Sequence, residues 1–402
     1  SFKGTLFLPK ACPQAYTLTS SRPAAKRTVY PYLRIMSLSM IPFRRRNLLW
    51  IALGLLALGI QYLGAARPEW IEQWYSRRLF PIIRSLIDYL FAWLPFPLLG
   101  LFAGVMVVLL GWNLYRWQSR SGSWWEKSVD GLLGLLGFAG GALFLFYFLW
   151  GWNYQRVPLE NQLELQPLAP LSEEELWQTL QEETVELLRL REGLYLSPED
   201  SVPAEQLMPA QLERSLRNSL YHWLTEQDYP APGRVRGKLV HPKGILLRFS
   251  SSGLYFPYTG EGHVDAGLHP LEVPYVMAHE MGHGMGFGDE GTCNFLAYVT
   301  CRSAKNAFVQ YAGQLTYWRT LAVNFKRYQP EKYQAFREAL PPGLIKDLNA
   351  INHNQARYPD LLPEFRDKAY NTYLRSQGIS EGMKTYNRVL MLVKAWKASR
   401  RS

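Results

Sequence analysis

Cysteine is scarce in this chain, with only Cys12, Cys293 and Cys301 among 402 residues. So few thiols exclude a disulfide framework as the organising device. Cys293 and Cys301 fall on one expected helix, about 12 Å apart along its axis, too far to pair without breaking it. They are expected as small buried apolar residues, and they leave the compartment open. Also missing, within residues 1–39, is an apolar run long enough for a signal-peptide core. That stretch is rich in Pro, Ser, Thr and basic residues and begins with Ser. It reads as an upstream or processed, disordered segment. A uniform charge is the third absence. Residues 1–156 carry 17 basic and 5 acidic groups, residues 157–301 carry 9 and 21, and residues 302–402 carry 18 and 7. A nucleic-acid binder is expected to be basic along one face. Here an acidic middle divides two basic ends, which excludes nucleic acid as the expected partner and points to solvated helix faces or anionic lipid headgroups.

Charge is also lacking from three long apolar runs, residues 47–66, 89–115 and 131–155. Each exceeds the ~20 residues needed to cross a bilayer core. Trp93, Trp112, Trp150 and Trp152 lie near run ends, as interfacial aromatics do. Gly137 and Gly141 form a G-x-x-x-G face in the third run. Residues 76–87 read as an amphipathic interfacial helix between the first two runs. With the N-terminus inside, positive residues lean modestly to the inner side. The chain is thus expected to be a multi-pass cell-membrane protein whose part after residue 156 lies outside the cytoplasm.

The strongest local pattern is His279-Glu280-Met281-Gly282-His283, followed seven positions on by Glu290. Residues four apart share a helix face, so His279 and His283 can hold one metal ion, and Glu280 can act as general base on a water. Zinc hydrolases combine three protein ligands with an open fourth position. Gly286 or Gly288 can end the helix in a left-handed conformation. A new helix then starts near Asp289 and returns Glu290 to the histidines. Glu290 is the expected third ligand, with Asp289 as the alternative. Asn294, one turn further on, is placed to orient a ligand.

Other elements frame this motif. Residues 157–170 read as a linker. Ser172 and Glu175 form a capping box for a helix running to Glu192 and stopped by Gly193. A second helix, residues 209–226, carries Leu212, Leu216, Leu220 and Trp223 at helical spacing. Residues 245–249 and 254–256 are strand candidates, with Glu261 and His263 expected in the cleft. Beyond Asn294 the pattern is helical, with breaks at 341–343 and near Pro359 and Pro363. Tyr370, Tyr386, Arg388 and His353 are candidates to stabilise an oxyanion.

From Tyr255 onward the chain resembles an uncharacterised family of bacterial multi-pass membrane proteins with a zincin-like domain. The resemblance is carried by residues 255–261 (YFPYTGE), 274–283 (PYVMAHEMGH), 290–301 (with Asn294-Phe295-Leu296-Ala297-Tyr298), 369–374 (AYNTYL) and 382–386 (GMKTY). Thr292 stands where that pattern has a second glutamate, and Cys293 where it has alanine. The resemblance implies membrane metallopeptidase-like chemistry. The short step from His283 to Glu290 is also similar to the Glu-ligand zincins of the phage-repressor-cleaving type.

Together these readings give a mainly α chain: residues 1–40 disordered, a three-helix membrane region over 41–156, and an α+β zincin-like hydrolase domain over 157–402 with a small sheet. The expected activity is Zn2+-dependent hydrolysis of a peptide or protein substrate at a lipid membrane. The expected site is Glu280 as base, with His279, His283 and Glu290 on the metal and Asn294, Glu261, His263, Tyr370 and Tyr386 around it. An amidase acting on a cell-envelope amide, or a non-catalytic binding module, are the alternatives.

Overall fold

A computed structural model describes residues 43–119, 123–165, 168–361, 368, 372 and 388–400. The expected disorder of residues 1–40, and the calls on Tyr370 and Tyr386, lie outside the described residues. Among the described residues three helices are long and apolar enough to cross a membrane: α1 (Phe43–Ala66), α4 (Leu98–Gln118) and α5 (Trp124–Leu149). Between the first two run α2 (Pro68–Trp70), a π-helical stretch (Ile71–Leu79) and α3 (Phe80–Phe91).

The helix ends differ from the apolar runs for local reasons. Tyr89 falls in the last turn of α3, and the second crossing helix starts at Leu98, after Pro95 and Pro97. Proline cannot donate to the helical ladder and restrains the residue before it. The third starts early, because Ser123 and Glu126 form a capping box. It stops at Leu149, and residues Gly151–Gln155 form a 3-10 turn. α1 and α5 approach closely: a Cβ on Gly140 would lie 2.5 Å from the Trp50 carbonyl oxygen. Of the expected glycine pair, Gly137 meets the Asn47 side chain and Gly141 the Trp50 ring.

The remaining chain comprises α6 (Leu159–Gln162), α7 (Glu173–Glu192), α8 (Ala204–Leu207), α9 (Leu212–Glu226), β1 (Arg236–Val240), β2 (Gly253–Phe256), β3 (Glu261–Asp265), α10 (Val273–Gly284), α11 (Glu290–Arg302), α12 (Ala307–Tyr328), α13 (Pro330–Glu338), α14 (Pro342–Ala356) and α15 (Arg388–Ser399). The Ser172/Glu175 capping box starts α7 as expected. On α9, Leu212, Leu216, Leu220 and Trp223 all face the core.

The sheet has the order β1-β3-β2, with β1 parallel and β2 antiparallel to β3. Residues 245–249 are not a strand. The Asp265 carboxylate accepts the amides of Gly244 and Leu246 at 2.7 Å and of Leu247 at 3.1 Å. Those donors, gathered on one side chain, hold a tight turn and cannot form a ladder. β3 is buried along its length, and α10 packs across the sheet. The two chain segments on either side of residue 156 share core contacts, since Tyr255 of β2 packs with Tyr147 and Trp150.

Candidate metal centre

The His279/His283 helix is stopped by its own sequence. The Phe287 amide donates to the Gly282 carbonyl and the Gly286 amide to the His283 carbonyl, at 3.3 and 2.9 Å. This paired closure with a left-handed residue is a Schellman ending, and Gly286 supplies it at φ +83°. The reversal carries the Phe287 carbonyl back over the helix, where it accepts a hydrogen bond from His283 Nδ1 at 2.8 Å. Two residues later Asp289 caps α11, accepting from the Thr292 amide at 2.7 Å. Asp289, the alternative third ligand, is therefore committed as a cap. Glu290, first in α11, turns back towards the histidines.

Three ligand atoms from His279, His283 and Glu290 lie within 4.8 Å of one another, and all three residues are buried. The two Nε2 atoms are 3.1 Å apart. Glu290 Oε2 is 3.1 Å from His279 Nε2, and its Oε1 is 3.7 Å from His283 Nε2. His279 Nδ1 meets Asn294 Oδ1 at 2.9 Å, the orienting contact expected for Asn294. A carbonyl can only accept, so His283 Nδ1 carries its proton, and the Asn294 oxygen asks the same of His279. In their neutral forms both rings then present bare Nε2 lone pairs to each other across 3.1 Å. Such a pair repels unless a proton or a metal ion lies between them, and the two compete for the same place. Two nitrogens bound at ~2.0–2.1 Å to a tetrahedral zinc would stand about 3.3 Å apart. Donor types, spacing and the hydrogen bonds on both Nδ1 atoms fit a group that could hold a metal ion.

The electrostatics are consistent with a cation-seeking site. Burial alone would raise the Glu290 pKa, yet His283 and His279 hold it well below the usual carboxylate range. Burial opposes a charge on His283, but Cys293 and Glu290 hold its pKa well above the ordinary histidine value. Burial pushes the Cys293 thiol up to about 11, so it is neutral and the Glu290 charge carries that effect. Cys293 Sγ lies 3.3 Å from His283 Nδ1, on the side away from the paired Nε2 atoms. Thr292 donates its hydroxyl to Asp289 at 2.8 Å, so it supports the cap.

Glu280 is buried, and its Oε2 has no hydrogen-bond partner among the described residues. Burial, partly offset by His279 and His283, raises its pKa above the ordinary carboxylate value. Two glycines make room for it: a Cβ on Gly262 would sit 2.6 Å from Glu280 Cβ, and one on Gly253 2.5 Å from its Oε1. Glu261 and His263 flank Gly262 but are wholly buried in the sheet. Glu261 accepts from Arg236 at 2.7 Å and from the Leu98 amide at 2.6 Å, with His263 Nε2 3.4 Å away. The two sit behind Glu280 as part of a buried charge network that continues through Arg236 to Asp88 and Arg84. They do not face an open cleft. Arg388 pairs with Glu160 and lies 3.9 Å from Asp289, beside the cap; His353 is exposed on α14.

Two supports had no local sequence signal. Trp150 Nε1 donates to the His283 carbonyl at 2.7 Å, and Arg156 donates to the Gly286 carbonyl at 3.1 Å. Both come from the segment directly after α5, more than a hundred residues before the motif. The Trp-Gly-Trp at 150–152, near the end of the third apolar run, was the available hint.

The fold and site define a mainly helical chain with three crossing-length apolar helices and a buried His-His-Glu group able to hold a metal. Over residues 75–394 the chain matches, and it belongs to, the family described as Protein of unknown function (DUF3810). The match spans α4, α5, the sheet and the His-His-Glu group, and begins after α1. No curated protein and no solved structure gives a significant match.

Proposed function

We propose that this chain is a membrane-anchored, zinc-dependent peptide hydrolase with a zincin-like catalytic region. The observation that carries the reading is the convergence of two Nε2 atoms, their rings held through Nδ1, and Glu290, with the buried Glu280 beside them, its Oε2 without a hydrogen-bond partner among the described residues. His279, His283 and Glu290 would hold the zinc. Bound there, zinc supplies Lewis acidity, polarising a carbonyl and easing deprotonation of water. Glu280 then takes the proton as the water oxygen bonds to the carbonyl carbon. The C–N bond breaks, and the same carboxylic acid returns the proton to the leaving nitrogen. A base with a raised pKa suits this exchange near neutral pH. Asn294 and the Phe287 carbonyl keep both imidazoles in the required tautomer.

A pure binding module has no use for an unpaired buried glutamate, so Glu280 favours an enzyme. An amidase acting on a cell-envelope amide would use the same residues and differ only in substrate. The positive-charge lean supports placing the catalytic region outside the cytoplasm. The test is metal content and cleavage of a peptide library by the native chain and by Glu280→Gln. Zinc in both and cleavage in the native chain alone supports the proposal. Zinc without cleavage of any peptide moves the reading to the amidase or the module.

A further inference from the structure

The metal centre is built directly on the ends of the crossing helices. Trp150, one residue beyond α5, donates to the carbonyl of His283 itself. The β2–β3 turn reaches further. Tyr258 donates its hydroxyl to the Ala142 carbonyl of α5 at 3.0 Å. Ala142 precedes the helix end Leu149 by seven residues, a rise of about 10 Å. On the other side Phe102 of α4 stacks on Tyr258 at 5.5 Å and meets Phe256 edge-on at 5.0 Å. The turn is thus wedged between two crossing helices, below the level at which α5 ends. From Tyr258 back to Leu254 is at most about 13 Å of extended chain. β2 does return to the level of the helix end, because Tyr255 meets the Trp150 ring at 5.4 Å, and Gly253 of the same strand abuts Glu280. The Trp150 contacts to His283 and to β2, with the β2–β3 turn held on α5 through Tyr258, therefore set the candidate centre at that level.

The neighbouring surface has the composition of a membrane boundary. Along α2, the π stretch and α3, Trp70, Trp74, Ile82, Leu86 and Tyr89 are exposed while the opposite face is buried. Exposed aromatic and aliphatic side chains, with Arg78 over the Trp74 ring at 4.4 Å, continuous with the crossing helices, suit the headgroup level.

We infer that the substrate is a membrane-anchored polypeptide cut at the bilayer surface, next to its own anchor. This rests on the hydrolase reading and names its substrate class. A site fixed at the level of the helix ends meets a chain as it leaves the bilayer. A scissile bond carried far above the surface by a spacer would have to fold back, losing the benefit of a shared membrane.

The test uses the full chain reconstituted with zinc in phosphatidylcholine/phosphatidylglycerol vesicles. Three probes are compared: a randomised ten-residue segment fused directly to a single apolar helix in the same vesicles, the same fusion with a long Gly/Ser spacer, and the randomised segment free in solution. Both anchored probes share the concentration effect of the membrane, so their ratio isolates position. Cut sites read by mass spectrometry are expected within about five residues, ~17 Å of extended chain, of the anchor, and the spacer-bearing and free probes should be cut at least tenfold more slowly. A second readout is independent of activity. A fluorophore on Leu254→Cys, in a Cys12→Ser background, should be quenched by lipids carrying a nitroxide near the headgroup. Equal cleavage of spacer-bearing or free probes, or no quenching at Leu254, overturns the inference and leaves the hydrolase reading standing. Zinc-loaded protein that cuts none of the probes overturns both.

Discussion

Replacing Asn294 by alanine isolates the contribution of one hydrogen bond to the metal centre. In the native chain Asn294 Oδ1 holds the His279 Nδ1 proton at 2.9 Å and leaves Nε2 bare. Without that oxygen the proton can move to Nε2, and the ring can turn away from Glu290, 3.1 Å distant. Removing such an orienting partner typically lowers metal affinity by about 10–100-fold, or roughly 1.4–2.7 kcal/mol. The fold should survive. Tyr275 donates to the Asn294 backbone carbonyl at 2.8 Å, a bond that alanine keeps. Alanine also favours helix over asparagine by a few tenths of a kcal/mol. The assay is zinc competition against a chelating dye in detergent, with a thermal melt of the metal-stripped protein as control. Weaker zinc binding with an unchanged apo melting temperature is expected. Unchanged affinity would refute the claim that Asn294 fixes the His279 tautomer, and Asn294→Asp, which keeps the acceptor, should restore most of the loss.

Three further outcomes follow from the same geometry. Glu280→Gln keeps the His-His-Glu group and should retain zinc while losing hydrolysis by at least ~100-fold, the usual scale for a positioned base; parallel zinc analysis and library cleavage check it. Gly286→Ala places a Cβ in a left-handed position, 2.9 Å from the Phe80 ring and 3.0 Å from Asn153 Oδ1. It should cost about 1–2 kcal/mol from backbone strain alone and weaken zinc binding by displacing Glu290, as read by melts with and without zinc. Burial works against the Glu72 charge, but Arg156 and Arg77 hold its pKa below the ordinary 4.5. A depressed folded pKa gives stability that is present above the unfolded value and lost as pH falls through the folded one. The native melting temperature should therefore drop below about pH 4.5 more steeply than that of Glu72→Gln; parallel slopes would show that the Arg156 pairing contributes nothing.

The His279, His283 and Glu290 grouping was legible because its geometry is local. Four-residue spacing puts both histidines on one helix face. Gly286 and Asp289 spell out where that helix stops and the next begins, so the reach of Glu290 follows from a dozen consecutive residues. The Ser172 capping box and the α9 leucines were legible for the same reason. What escaped depends on distant partners. Residues 245–249 have strand-like side chains, but Asp265 takes their amides. Glu261 and His263 read as cleft residues until Arg236 and the start of α4 enclose them. The second apolar run is unbroken by charge from Tyr89 to Tyr115, while the backbone is broken by Pro95 and Pro97. Trp150 and Arg156 act on the metal loop across more than a hundred residues, and no spacing rule connects them to it.

The most direct test of the central claim is zinc stoichiometry with X-ray absorption at the zinc edge, on the purified full chain and on a His279→Ala, His283→Ala double variant. The account predicts about one zinc per native chain, coordinated by two imidazole nitrogens and carboxylate oxygen at ~2.0–2.2 Å, and none bound in the double variant. A native chain that binds no zinc, or a double variant that binds it equally well, would contradict it.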